Sequence, residues 1–163
     1  MDLMKRGISM SKSDDNAHKG MPHYLISLFE SFPYPIQIFS HDGTAIMINN
    51  AALEMIGIKS RESHLGRYNV FEDPIVRKLG FTDQIRQVLT GRTVYLIDFT
   101  ASYEDMIRYF DVKERDLTLI NSDITCFPLV NRDGRVEYFA AFFIFKNVYM
   151  DKEEIGRAKQ YIR

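Results

Sequence analysis

Tryptophan is absent from this chain, cysteine occurs once, proline five times, and neither charge sign dominates. The single thiol, Cys126, rules out an internal disulfide and any CxxC metal or haem-attachment pattern, and a reduced, cytoplasmic protein is the simplest expectation. No apolar run approaches the ~18 residues that a membrane span requires. The opening residues, MDLMKRGISM, lack the apolar centre of a signal peptide. A formal net charge of -1 and a pI near 6.4 provide no basic field to grip nucleic acid unaided. Nucleophile–base pairs, phosphate-cradling glycine loops and metal-ligand clusters are also missing, so catalysis is not expected. What is present is 163 residues with an apolar fraction of 45%, enough for one domain with a real core.

The strongest local signal is the stretch from Asp116 to Asn147, two β-rich runs around the turn Asp133-Gly134. Its second run, Val136 to Phe145, is apolar at nearly every position and is expected to be covered on both faces. Residues 1–21 are polar and without periodicity, a mobile arm. Leu25, Ile26, Leu28, Phe29 and Phe32 then form the apolar side of a short helix that Pro33 and Pro35 stop. PIQIFS and TAIMIN read as a hairpin around Asp42-Gly43, and Asn49 or Asn50 caps the helix AALEMIG, which Gly57 ends. Lys59 to Leu79 is irregular, with short helical turns expected rather than one long element, and Pro74 interrupts any continuous helix there. A helix from Phe81 to Leu89 stops at Gly91, a strand covers Thr93 to Thr100, and a helical insert covers Ser102 to Tyr109. The order predicts an antiparallel α+β domain.

Taken together, PIQIFSHDGTAIMINNAALEMIGI, the Leu65-Gly66-Arg67 step, the helix ending at Gly91 and the three strands broken by PLVNRDGRVEYF resemble a PAS domain over residues 22–147. The resemblance implies a five-stranded antiparallel sheet with flanking helices, whose inner face encloses a ligand-sized cavity and whose outer face serves dimerisation or signal transfer. Flavin photosensors of this family carry a reactive cysteine after the LGR step, where this chain has Asn69, which excludes thiol adduct chemistry. Haem-binding members often place a histidine on the helix that here runs Phe81 to Leu89, which has none, so neither haem nor flavin is expected. His64, just before LGR, reads as a surface-loop residue, since histidine needs a positioned partner to act as a ligand.

By the same resemblance Leu96 and Asp98, then Ser122, Ile124 and Cys126, then Phe139, Ala141 and Phe143 point into the cavity, with Asn69 closing one side. Asp98 either recognises a donor on a ligand, pairs internally or faces solvent, because an unpaired buried carboxylate costs several kcal/mol. Asn69 is either a ligand contact or an amide that stabilises its own loop, and Cys126 is a small core residue. Glu72 and Asp73 read as solvated, with Asp73-Pro74 starting a turn.

These features make a small-molecule-sensing module of a cytoplasmic signalling or transcription regulator the leading expectation, working as a homodimer with no membrane contact and no nucleic-acid contact of its own. The alternatives are a PAS dimerisation module without ligand, or the sensor of a histidine kinase or nucleotide cyclase. Residues 148–163 are expected to form a linker helix or the start of an output domain. Their I-x-x-A-K-x-Y-I pattern resembles the first DNA-binding helix of AraC-type transcription regulators.

Overall fold

A computed structural model of the chain describes residues 23–114 and 119–147. Helix α1 (His23–Ser31) leads into the hairpin β1 (Ile36–Ser40) and β2 (Ala45–Ile48). Helices α2 (Asn50–Ile56), α3 (Pro74–Lys78) and α4 (Thr82–Arg86) follow, the last continued by a 3-10 turn over Gln87–Thr90. Strand β3 (Val94–Ser102), helix α5 (Tyr103–Tyr109) and the long hairpin β4 (Leu119–Val130) and β5 (Val136–Asn147) complete the fold. The expected arm at residues 1–21 and the tail at residues 148–163 lie outside the described residues.

The strands form one antiparallel sheet in the order β2-β1-β5-β4-β3, the architecture that the resemblance implied. Register decides what the inner face presents. Gln37 pairs with Ala141, Ala141 with Cys126 and Cys126 with Val94, so these four form one inward row. Leu96, Ile124 and Phe143 form the next, and Phe99, Ser122 and Phe145 a third. The helices lie over this face and bury two apolar clusters, one around Phe39, Phe71, Leu96 and Phe139, the other around Ile48, Ile58, Ala101 and Tyr103.

Both first-hairpin signals act as the sequence suggests. Asp42 accepts from the Ser40 hydroxyl at 2.6 Å and from the Thr44 amide at 3.0 Å, and Gly43 takes φ +91°. A Cβ on Gly43 would overlap the Phe71 ring, so glycine is required there twice over, by φ and by space. Asn49 caps α2, its side-chain oxygen accepting from Ala52 N at 2.9 Å and from Ile36 N at 3.1 Å, and Gly57 closes the helix in the left-handed region. In the irregular stretch no continuous helix forms, and the short helical turns expected there include α3, which Pro74 starts. It sits in the first turn of α3, where its missing N–H costs nothing, and Asp73 caps that turn by accepting from Ile75 N at 2.7 Å and Val76 N at 3.1 Å.

Coverage of β5 on both faces is not what the structure shows among the described residues. Ala140 is buried and Phe142 is half-buried under Phe32 and Tyr34, but Tyr138 and Ile144 are exposed. Helix α1 has no buried residue, and Tyr24, Leu25 and Leu28 along it face outward.

Candidate functional site

Between the two apolar clusters the inner face of the sheet and the helices leave a cavity of about 120 Å³. Its walls come from every strand except β2 and from the helical side, chiefly Ile58, Tyr68, Ile75, Val76, Met106 and Phe110. Of the nine residues expected at the cavity, Leu96, Ser122, Ile124, Cys126, Ala141 and Phe143 line it. Alternation along β4 and β5 brings these together, because successive side chains leave opposite faces of a strand.

Phe139, Asn69 and Asp98 are not brought to the cavity. Phe139 points inward but is wholly buried beyond the cavity's end, its ring 5.0 Å from Phe39 and 5.7 Å from Phe71. Asn69 clamps its own loop to the first hairpin, donating to the Asp42 carbonyl at 2.9 Å and accepting from Phe71 N at 2.9 Å. It faces a polar cleft on the outside instead. Asp98 is the clearest correction. A bulge between Leu96 and Phe99 breaks the period of two, so Leu96 and Phe99 both point inward and Asp98, at φ +56°, turns out. Its carboxylate, 69% exposed, pairs with Lys146 at 2.7 Å, while its backbone N–H donates to Asp123 at 2.9 Å.

The polar groups that the cavity does hold come from residues read otherwise in the sequence. Gln37 is 3% exposed, and its side-chain oxygen lies 2.8 Å from Nε2 of His64, itself 9% exposed. His64 is therefore an interior residue, since the Arg61–Tyr68 turns carry it under the sheet, where its ring stacks on Tyr68 with centroids 4.6 Å apart. Burial pushes its pKa down to about 4. Tyr68 donates to Asp73 at 2.6 Å, and Asp73 is buried, in contrast to the solvated position expected of it. Burial raises the Asp73 carboxyl above its ordinary value, while the Tyr68 hydroxyl and the α3 amides pull it back. The signals for these groups were faint. Gln37 shares the inward phase of Phe39, and His64 and Tyr68 are four residues apart, one helical turn.

His64, Tyr68, Asp73, Ile58 and Phe110 also line the polar cleft outside, so they form the wall between the cavity and solvent. Among the described residues no group of three or more His, Cys, Asp or Glu side chains is placed to hold a metal ion. No helix among them is long and apolar enough to cross a membrane.

No protein-family model and no curated protein sequence matches the chain. Solved structures do match. The VqmA dimer of Vibrio cholerae, described as a LuxR-type receptor, superposes at a TM-score of 0.57 with 23% identity, over 78% of this chain and 52% of that one. The PAS domain of Bordetella pertussis BvgS gives 0.53 and 15%, over 84% of this chain and 92% of that one. The PAS domain of an HTR-like protein from Haloarcula marismortui gives 0.54 and 17%, over 83% and 99%. The chain thus has the PAS fold, at nearly the full length of the isolated PAS domains and about half the length of VqmA.

Proposed function

We propose that this domain senses a small molecule held in the cavity and passes its occupancy to an output domain through the outer face of the sheet. The observation that carries this reading is a partly enclosed space of about 120 Å³ whose largely apolar wall holds the buried polar side chains of Gln37, His64, Asp73 and Ser122. A dimerisation module needs no such space, and polar side chains cost free energy in an interior unless something pairs with them. VqmA, whose structure bound to DPO has this fold at a TM-score of 0.55, supports a ligand role for the architecture.

The mechanism is a population shift. A ligand that packs differently against the inner face in two states biases the helices and outer residues that the same strands carry. The outer residues Tyr138 and Ile144, with Tyr24 and Leu28 of α1, form the surface through which a symmetric dimer would assemble. The output is taken to be DNA-binding, lying outside residues 22–147. The pattern in residues 148–163 suggests an AraC-type unit, and the VqmA dimer is a LuxR-type receptor with a DNA target. A cytoplasmic location, no catalysis and no haem or flavin belong to the same reading.

Intact-mass measurement under native conditions, followed by analysis of what denaturation releases, tests it. A stoichiometric small organic molecule, colourless above ~350 nm, is expected. A visible chromophore would overturn the cofactor part. Failure of every small molecule to bind would favour the dimerisation module.

A further inference from the structure

Among the described residues the cavity offers a guest no cationic side chain. Its ionisable lining among the described residues is His64, Tyr68, Asp73 and Cys126, with no lysine or arginine. The His64 ring is neutral at pH 7, since burial holds its pKa near 4, and burial pushes the Cys126 thiol up to about 12. Burial also raises Tyr68 well above its ordinary value. The Asp73 carboxylate is engaged on both oxygens, by the Ile75 and Val76 amides on one and the Tyr68 hydroxyl on the other. An anionic guest would shed its hydration here without meeting a counter-charge, and a cationic one would meet only the Asp73 carboxylate, already held by three donors, so either loss of hydration is costly.

Hydrogen-bonding capacity is available at the Gln37 amide, with the buried Ser122 hydroxyl also in the wall. With the Gln37 oxygen facing it, the neutral His64 ring donates from Nε2, which leaves both N–H bonds of the Gln37 amide without another partner among the described residues. Gln37 is buried and lines the cavity. The space of about 120 Å³ is on the scale of the ~150 Å³ engineered cavity that takes up benzene. Its walls near Gln37 include the rings of Phe39 and Tyr68.

Building on the ligand-sensing reading above, we propose that the cavity takes an uncharged, single-ring compound carrying a carbonyl-type acceptor, which the Gln37 side-chain amide grips while His64 holds that amide in place. Gln37 is the contact residue and His64 the positioning residue.

Calorimetric titration with benzamide, benzoate, benzylammonium and toluene, on the full chain and on Gln37→Leu, tests this. The wild type should bind benzamide at least about tenfold more tightly than the two ions or toluene, the scale of one buried hydrogen bond. Gln37→Leu should bring benzamide down to the toluene level and leave toluene unchanged. Benzoate or benzylammonium binding as tightly as benzamide would overturn the neutral-ligand inference while leaving a ligand sensor in place. Equal weakening of benzamide and toluene by Gln37→Leu would reduce Gln37 to a packing role and overturn it as well. Binding of none of the four, with nothing released on denaturation, would overturn this inference and the sensor reading together.

Discussion

The two faces of one sheet differ in kind. The inner face is enclosed by helices and the Arg61–Phe71 loop, and its side chains meet rings and aliphatic groups on every side except across the cavity. The outer face carries Tyr138 and Ile144 exposed among the described residues, where the rings of Phe32 and Tyr34 reach over to Phe142. Both faces are built from the same strands. An event at the inner face can reach the outer one only through strand position, so strand β5, which holds Phe143 inside and Ile144 outside, is the natural carrier.

The largest effect expected from breaking this asymmetry is at Phe139. Its ring is wholly buried between Phe39 and Phe71, and Arg86 caps the Phe71 ring at 4.3 Å. Phe139→Ala should cost about 3–5 kcal/mol in urea unfolding, whereas Tyr138→Ala, one residue along on the outer face, should cost under about 1 kcal/mol. Similar losses for the pair would show that the outer face is as well packed as the inner.

Acid should separate the faces next. The folded His64 ring takes a proton only near pH 4, against 6.5 for an ordinary histidine, so between those values the unfolded chain binds more protons and stability falls as pH falls. About 3 kcal/mol should be lost between pH 7 and pH 4, and His64→Leu should flatten that slope. On the outside, Lys146 and the Asp98 N–H lower the pKa of Asp123 from 3.8, so its contribution fades only below that value. A wild-type profile that is flat from pH 6.5 to 4 would contradict the buried, neutral His64.

A smaller effect is expected on assembly. Leu28 is 62% exposed on α1, so Leu28→Glu should leave unfolding nearly unchanged while weakening the dimer at least about tenfold, roughly 1.4 kcal/mol, by light scattering across a dilution series. A wild type that is monomeric at tens of micromolar would remove the outer face from the signalling reading. The smallest change is expected at Asp98. Asp98→Gly relieves the positive φ and gives up an exposed ion pair, so stability should move by less than about 1 kcal/mol and ligand affinity should not move. Loss of binding in Asp98→Gly would mean that the bulge itself shapes the cavity.

The sequence alone determined the elements, their order and most inward positions, because these follow from local rules. Gly43 and Gly134 mark turns, Asn49 and Gly57 bound a helix, and alternation along β4 and β5 places Ser122, Ile124, Cys126 and Phe143 on one face. Tertiary structure alone decided where that regularity fails. The bulge that ejects Asp98 depends on an Asp123 side chain across the ladder, Asn69 is committed to a turn 27 residues earlier, and His64 is interior because Gln37, also 27 residues away, receives its N–H. Each is a hydrogen bond between groups distant in sequence, and no local periodicity encodes which distant partner a polar side chain will meet.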